Sequence, residues 1–475
     1  WLESIRKKPC TVIREEKRPV PLYPIFLHPS GCLHPFLEGK KAAPAVYDFF
    51  HKSGRGSRKP PDYAGILRVL ERFNLLPAIF FLKSRAECDA ALACRSGLPP
   101  LKSHGSFDGD LSEILERFPS LGGHRQMRAL RQAGLAAHHG GQLPVWKLLV
   151  EEMMNRGHLR AIFATTTVAA GVNFPARTIV LFNSDQFNGR DFAPLSATEF
   201  RQMTGRAGRR GQDNIGFMLA VPGRFMELDH VKKMLRAEPE DIFSQLKNDF
   251  AMVLNLLLSQ TPANVKEIFE RSFAAWQQNK SGKRGRSAAE RLWEDFCLHL
   301  NFLKKERFVD PDGKLTDDGL WAARLRLDHP LLVAECLRKN ALPDDEKLLA
   351  AAVAVFAYDR EDELQLAGGQ WAKPLTAALR KVLLAVRPLA RRLEVAGFDL
   401  PKLHSSAGAA MSCWAQGRDW DDVLHLTGIA DGDMASLVLR TADNLRQIAS
   451  LRGTHPEIAA CAMKAREAIL REPVL

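Results

Sequence analysis

Short apolar runs alternate with amphipathic stretches in the first half of the chain. The runs have the length of buried strands and cover residues 78–82, 160–164, 178–182 and 215–221. Helical periodicity covers residues 64–74, 84–95 and 144–156. Ser84 precedes one of these helices as a candidate N-cap. Strands separated by helices predict an α/β domain, with a parallel sheet covered by helices on both faces.

The pattern changes after about residue 225, where strand-like runs mostly stop. Helical periodicity covers residues 240–278, and residues 288–325 predict two helices and a small hairpin with Asp312-Gly313 at its turn. That order is typical of a winged helix. Residues 328–475 are almost entirely helical in pattern. The second half therefore predicts helical domains.

Composition narrows the function classes only moderately. The 475 residues are 46% hydrophobic, and 67 Lys+Arg against 55 Asp+Glu give a net charge of +12, which favours a polyanionic partner. The longest apolar run, residues 350–358, is too short to cross a membrane. The eight cysteines form no CxxC pair, which indicates reduced thiols in the cytoplasm and no metal site. The chain starts at Trp1, so we expect it to be a piece of a longer protein.

Residues 198–211, with the sequence TEFRQMTGRAGRRG, hold the most informative chemistry. Glycines at 205, 208 and 211 let the backbone approach a ligand, while Arg206 and Arg209 supply fixed positive forks that match phosphate oxygens. We expect the two guanidinium groups to reach a polyphosphate from the exposed rim of the sheet. The alternatives are a solvated Arg-rich helix end or a general nucleic-acid patch.

Polar side chains also follow three of the predicted strands. Thr165 begins a run of three threonines that leads to Gly171 and Asn173. Because ligands bind at the carboxyl ends of parallel strands, this run predicts phosphate or ribose contacts. A threonine-rich strand end with an N-cap is the alternative. Two further candidates are the Ser84-Arg85 pair and the turn His138-His139-Gly140-Gly141. The alternative for Ser84-Arg85 is a solvated turn between strand and helix. The alternative for the histidine turn is a turn that makes only internal polar contacts.

The order of these four elements resembles motifs IV, IVa, V and VI of the superfamily 2 helicases. The sequence Gln-Met-Thr-Gly-Arg-Ala-Gly-Arg-Arg-Gly is similar to motif VI of the DExH group that contains the superkiller-type and exosome-associated RNA helicases. Further likeness includes Arg18-Pro19-Val20, Glu270-Arg271-Ser272-Phe273, the wing around Gly313, and Trp414-Ala415-Gln416-Gly417. The resemblance implies a RecA-like parallel sheet domain, a winged helix and an all-α helical bundle. The implied boundaries are 1–60 (linker), 61–235 (second RecA-like domain), 236–327 (winged-helix region) and 328–475 (helical bundle).

The resemblance also implies a role for each candidate residue. Arg206 and Arg209 would contact ATP, with Arg209 as the arginine finger, and Gln202 would position the attacking water. Gly171, Asn173 and Gly205 would line the nucleotide. The nucleic-acid strand would be held by Ser84, Arg85, His139, Gly140, Thr165, and by Arg440 and Asp443 on one face of a ratchet helix. An ion pair within that helix is the alternative for the last two residues.

No G-x-x-x-x-G-K-[ST] motif and no Asp-Glu-x-His motif occurs in the sequence. ATP hydrolysis requires a phosphate-cradling loop and a magnesium-binding acid. We therefore expect this chain alone to be inactive, with ATP and Mg²⁺ bound mainly by a first RecA-like domain outside it. The principal hypothesis is a monomeric, ATP-dependent RNA helicase of 3′ to 5′ direction. The alternatives are a DNA repair helicase on the same scaffold and a non-catalytic nucleic-acid-binding scaffold.

Overall fold

The computed structural model describes the chain apart from residues 16, 40, 53–60, 102–104, 167–173, 188–190, 282–286, 328, 361–363, 365–370, 401 and 475. The chain forms two compact units. The sheet unit comprises Ile13–Asp241, and the helical unit comprises Trp1–Val12 together with Ile242–Leu475.

The sheet unit is built on a seven-stranded sheet in the order β2-β1-β11-β8-β5-β7-β6. Its strands are β1 (Leu22–Leu27), β2 (Leu33–Pro35), β5 (Ala78–Phe81), β6 (Leu135–His138), β7 (Ala161–Ala164), β8 (Thr178–Leu181) and β11 (Gly216–Ala220). Two small hairpins pair β3 (Leu37–Glu38) with β4 (Lys41–Ala42) and β9 (Asp185–Phe187) with β10 (Phe192–Pro194). All neighbours in the large sheet are parallel except β1 and β2. The predicted α/β fold is confirmed.

Helices accompany the strands of the sheet unit, and several of them form the crossovers that parallel neighbours need. They are α2 (Pro44–Lys52), α3 (Tyr63–Arg72), α4 (Arg85–Ala91), α5 (Gly105–Arg117), α6 (Met127–Ala133), α7 (Pro144–Asn155), α8 (Ala197–Thr204) and α9 (Leu228–Met234). The core between sheet and helices is rich in aromatic rings: Phe80 packs against Phe163 with ring centroids 5.0 Å apart. Short 3₁₀ turns occupy Leu92–Gly97 and Pro119–Gly123.

The predicted linker over residues 1–60 is wrong, because strand β1 from this segment pairs along its length with β11. Phe26 in β1 is fully buried. Residues 1–12 instead belong to the helical unit, where the Trp1 indole Nε1 donates a hydrogen bond to the carbonyl of Arg271 (3.1 Å). Pro21 precedes β1 and Pro24 lies within it. Because proline lacks the N–H that a central strand needs, the sequence does not predict a strand of the sheet here.

The helical unit is formed by α1 (Leu2–Arg6), α10 (Phe250–Leu257), α11 (Pro262–Glu270), α12 (Phe273–Ser281), α13 (Ala288–Lys305), α14 (Asp317–Ala322), α15 (Pro330–Arg338), α16 (Glu346–Ala357), α17 (Lys373–Val395), α18 (Ser405–Ala415), α19 (Trp420–Thr427), α20 (Asp431–Ala449) and α21 (Pro456–Ile469). An antiparallel bridge between Val309 and Leu315 forms the predicted small hairpin at Gly313. Helix α16 is the centre of the bundle, because every residue from Leu349 to Ala357 is buried. A side chain on Gly408 of α18 would lie 2.8 Å from the carbonyl oxygen of Ala351, so these helices pack at close range.

Replacement of Phe26 by alanine tests whether β1 is part of the sheet. We expect Phe26→Ala to lower the free energy of unfolding by about 3–4 kcal/mol, because it leaves a cavity in a closed core. Chemical denaturation followed by circular dichroism measures the change. Tyr23→Ala on the same strand is the control, since Tyr23 is 46% exposed and should cost less than about 1 kcal/mol. Equal, small effects of both changes would contradict the placement of β1.

Candidate nucleotide-binding loop and nucleic-acid rim

Helix α8 leads directly into the arginine loop, which we define as residues 205–213. The helix begins at a capping box, in which the Ser196 hydroxyl accepts from the Glu199 N–H (3.2 Å) and the Glu199 carboxylate accepts from the Ser196 N–H (2.8 Å). It ends at Gly205. Gly208 then turns the chain at φ +87°, where a side chain would also lie 2.4 Å from Cγ1 of Val20. The loop geometry therefore requires glycine at position 208.

The backbone of the arginine loop is held by two distant segments. The N–H of Ala176 donates to the carbonyl of Arg206 (2.9 Å), and the N–H of Gly208 donates to the carbonyl of Ala176 (2.7 Å). From the start of the sheet unit, Arg18 Nη2 donates to the carbonyls of Thr204 (2.8 Å) and Ala207 (2.6 Å). Burial lowers the pKa of Arg18. These bonds fix the loop on which Arg206 and Arg209 are carried.

Asp213 holds the side chain of Arg209. The Nε and backbone N–H of Arg209 both donate to Asp213 Oδ2 (2.8 and 2.9 Å), and its Nη2 donates to Oδ1 (3.0 Å). The Nε of Arg177 donates to the same carboxylate (2.9 Å). The Asp213 side chain is fully buried. In this structure the Arg209 guanidinium is thus turned back onto Asp213 rather than extended toward a ligand, in contrast to the expectation that both forks reach a polyphosphate.

Two opposing effects set the pKa of Asp213. Burial raises it, but the hydrogen bonds from Arg209 and the positive charges of Arg209 and Arg177 outweigh that effect and lower it below the ordinary 3.8. The carboxylate is thus ionised at neutral pH. Arg206, in contrast, is partly buried, and burial lowers its pKa. Gln202, Gly205 and Arg210 are exposed.

The arginine loop lies at the amino edge of the sheet. It immediately precedes β11, and Arg177 immediately precedes β8, whose first residue Thr178 is paired with Phe217. The side chains predicted to bind nucleic acid follow β5, β6 and β7 and so lie at the carboxyl edge. Strands of four residues separate the two edges by about 13 Å. The arginine loop and the residues that follow β5, β6 and β7 therefore lie at opposite edges of the sheet.

Thr165 and Ala176 mark the ends of a segment that connects these two edges. Thr165 follows β7 at the carboxyl edge and is partly exposed, whereas Ala176 is bridged to Ala207 at the amino edge. Gly171 and Asn173 lie between them, outside the described residues. Their predicted contacts to the nucleotide stay predictions.

The structure brings Ser84, Arg85 and Gly140 together at the carboxyl edge, and we call this surface, with Thr165, the nucleic-acid rim. Ser84 caps α4, its hydroxyl accepting from the N–H of Glu87 (3.1 Å). Arg85 is exposed, and its guanidinium Nη2 would lie 3.1 Å from a side-chain carbon placed on Gly140. Gly140 is exposed and leaves room for that arginine. The exposed guanidinium of Arg85 is a group of the kind that contacts a phosphate backbone.

His139 does not belong to the exposed rim, because it is 2% exposed. Its Nδ1 accepts from the N–H of Gly141 (3.1 Å), and its Nε2 lies 3.2 Å from Asp89 Oδ1. His138 turns the other way, with Nε2 2.8 Å from Glu151. The His139 side chain is thus engaged within the turn that carries Gly140, and the predicted contact of His139 with a nucleic-acid strand stays a prediction. Among the described residues, no group of three His, Cys, Asp or Glu side chains is arranged to bind a metal ion.

Helix α20 carries the partly buried Arg440 and the exposed Asp443 on one polar stripe. They are not paired with each other: Arg440 forms an ion pair with Asp359, and Asp443 accepts from Arg446 Nη2 (2.6 Å). The opposite side of α20 is buried along most of its length. The stripe is therefore a polar face with both charges already engaged within the helical unit.

Sequence reasoning missed Arg18, Arg177 and Asp213. Asp213 stands four residues after Arg209, and this spacing was a usable signal. Arg18 offered none, since it is 186 residues from Thr204 in the chain.

Comparisons with known proteins agree with this architecture. Residues 312–475 match the family model of the DSHCT (NUC185) domain. The chain is 32% identical over 313 residues to "Probable helicase HelY" of Mycobacterium tuberculosis (strain ATCC 25618 / H37Rv), covering 59% of this chain and 34% of that protein. It is 30% identical over 365 residues to "Superkiller complex protein 2" of Mus musculus, covering 68% and 28%.

A third relative is "Exosome RNA helicase MTR4" of Homo sapiens, 29% identical over 310 residues, with coverage of 59% of this chain and 29% of that protein. The matched regions thus amount to about a third of the length of each of these three relatives.

Removal of the Asp213 carboxylate tests its role in the loop. Asp213→Ala should lower the free energy of unfolding by about 2–3 kcal/mol, because two partly buried guanidinium groups lose their shared acceptor. The stabilisation is complete above the ordinary aspartate pKa and is lost as the pH falls through the lowered folded-state pKa. Urea denaturation at pH 7 and near pH 3 should therefore show a difference from wild type that shrinks in acid.

Asp229→Ala is the matched control, since the Asp229 side chain is 93% exposed. It should change stability by less than about 0.5 kcal/mol at either pH. A similar cost for both changes would mean that Asp213 does not organise the loop.

Proposed function

The chain belongs to the superkiller-type group of superfamily 2 helicases as a C-terminal portion, and on that premise we propose that it supplies half of the ATPase site and much of the strand-binding surface of an ATP-dependent RNA helicase. The longer protein would move along RNA in the 3′ to 5′ direction, as the family resemblance implies. The observation that carries the proposal is the arginine loop, which is fixed by Arg18, Ala176 and Asp213.

The arginine loop fits a triphosphate by its charge and by its backbone. Arg206 and Arg209 stand three residues apart on a loop whose main chain is anchored, so little ordering remains to be done on binding. Arg209 would leave Asp213 and neutralise charge that develops on the transferring phosphoryl group, while Arg177 keeps Asp213 paired. Gln202 would position the attacking water, and Gly205 would allow close approach of the nucleotide.

The rest of the ATPase site would come from a first RecA-like domain. The carboxylate at the arginine loop, Asp213, is already shared by two guanidinium groups, so it is unsuited to hold Mg²⁺. A phosphate-cradling loop and a magnesium-binding acid would be supplied by that domain, and this chain alone would not hydrolyse ATP. Gly171 and Asn173 would complete the nucleotide contacts from the segment after β7.

The nucleic-acid strand would be held by both units. In the sheet unit, Ser84, Arg85, Gly140 and Thr165 form the nucleic-acid rim. We also propose that residues 236–327, most of which belong to the helical unit, form a winged-helix region and that α20 is the ratchet helix. Among the described residues, no helix has the length and apolar character needed to cross a bilayer. We propose a cytoplasmic, monomeric enzyme that acts on single-stranded RNA.

Alanine substitution of Arg209 in the longer helicase tests the ATPase site. We expect Arg209→Ala to lower the ATPase turnover by about 10³-fold or more, as when other arginine fingers are removed. Arg206→Ala should lower the turnover by a comparable factor. A coupled-enzyme assay at saturating RNA measures the turnover. Arg210→Ala is the control on the same loop, since Arg210 is exposed and next to Arg209. Unchanged turnover of Arg209→Ala would remove that residue from the site.

Substitutions at Arg440 test α20 separately. Arg440→Gln should weaken duplex unwinding and spare basal ATPase, because the residue lies away from the nucleotide in the proposed mechanism. Asp359→Asn should strengthen binding of the nucleic-acid strand, since it removes the ion-pair partner of Arg440. Arg452→Gln, an exposed change just beyond α20, is the control. Joint loss of ATPase and unwinding in Arg440→Gln would contradict the ratchet role.

A further inference from the structure

Helix α17 has an outer face of unusual charge. Its inner face is an ordinary apolar stripe, buried at Leu375, Leu379, Val382, Val386, Leu389 and Leu393. Over its 23 residues the helix carries six basic side chains against the single acidic Glu394. This difference of +5, from six minus one, is a large share of the net charge of +12 on 475 residues. The positive excess of the chain is therefore concentrated on this helix.

The cations on α17 are not neutralised by neighbours. Arg392 is paired with Glu306, its Nε and Nη2 lying 2.7 and 2.8 Å from the two carboxylate oxygens. Among the described residues, the other five have no ion-pair partner, and all five are exposed: Lys373, Arg380, Lys381, Arg387 and Arg391. Surface helices commonly mix charges of both signs at i, i+4 spacing, which stabilises them. Arg387 and Arg391 instead repel each other one turn apart.

The spacing of these cations follows one side of the helix. From Lys373 to Arg391 the helix rises about 27 Å, and the five charges recur along that length. At its first turns an open groove is lined by Trp371, Lys373, Thr376, Arg380, Lys381 and Leu384. Trp371 packs partly against the core below, and Leu384 is 53% exposed among the cations. The face thus combines a row of charges with an aromatic ring and an apolar patch.

We propose that the outer face of α17 is a second binding surface for single-stranded nucleic acid. The cations would contact successive phosphates, and Trp371 would offer a face on which a base stacks, the combination that sequence-independent strand binding uses. An acidic protein would match the charges but would have no use for an aromatic stacking surface beside them. The proposal goes beyond the strand contacts assigned above to the nucleic-acid rim and α20.

A salt titration of binding tests this surface on the chain as it stands. The probe is a fluorescein-labelled 20-nucleotide oligouridylate, and fluorescence anisotropy gives the affinity over a range of KCl concentrations. We expect Arg380→Gln/Lys381→Gln to weaken binding about tenfold or more near 50 mM KCl. The slope of log K against log [KCl] should become shallower by about 1.4, because two phosphate contacts are lost.

The matched control is Arg452→Gln/Lys464→Gln, which removes the same charge from exposed positions elsewhere in the helical unit. It should change the affinity for the probe by less than about twofold. The slope of log K against log [KCl] should stay close to that of the unmodified chain. Circular dichroism checks that both double variants keep their helices, and Arg387→Gln/Arg391→Gln provides an independent second pair on α17.

Three results would overturn the proposal. Equal losses in the α17 and control variants would show attraction by overall charge. Displacement of the probe by polyglutamate as effectively as by unlabelled oligouridylate, at equal charge, would identify an acidic-protein surface instead. Absence of binding by the unmodified chain would also refute it. The first two results leave the nucleic-acid rim and the ATPase tests of Arg206 and Arg209 unaffected, whereas absence of any binding would also count against the strand contacts proposed for the rim and α20.

Discussion

The ionised carboxylate of Asp213 is the interaction on which the arginine loop depends. It accepts from the backbone and side chain of Arg209 and from Arg177, and so ties the loop before β11 to the residue that precedes β8. Burial of a carboxylate is unfavourable unless it is paired, and here two guanidinium groups provide the pairing. The same contact keeps Arg209 folded back. Any ligand that engaged this guanidinium would therefore have to compete with Asp213.

The strand direction of the sheet divides the sheet unit into two chemically different edges. The amino edge carries the anchored arginine loop, and the carboxyl edge carries Arg85 beside the exposed Gly140. The two edges are therefore separate surfaces of one sheet, at opposite ends of its parallel strands.

Sequence patterns predicted the parts of the fold that depend on local periodicity. Strands β5, β7, β8 and β11 lie within the predicted apolar runs, because continuous apolar segments between helices have few other uses. Strand β6, with the sequence Leu-Ala-Ala-His, lacks the β-branched and aromatic residues that mark strands, and was not assigned. Helix α5 was missed because Gly105 and Gly109 disfavour helix, and tertiary packing of Phe107, Leu111 and Ile114 overrides that preference.

In the candidate site, too, residue types could be predicted from local sequence, whereas contacts between distant segments could not. Glycine and arginine in the loop are visible in sequence because phosphate chemistry favours those residue types together. The burial of His139 depends on the elements packed over it, so His-His-Gly alone could not exclude an exposed side chain. The contacts from Arg18 to the loop carbonyls join residues about 190 positions apart, and only the closed sheet reveals them.

The long separation in sequence between Arg18 and the arginine loop affects the order in which the chain folds. Val20 lies under Gly208 and Arg18 binds the adjacent carbonyls, so the loop reaches its geometry only after the first strand has docked beside the last one of the sheet. Pairings between such remote segments form late, since closing a long loop costs chain entropy before any contact compensates it. A partly folded chain in which β1 has not yet docked would consequently lack the ordered arginine loop.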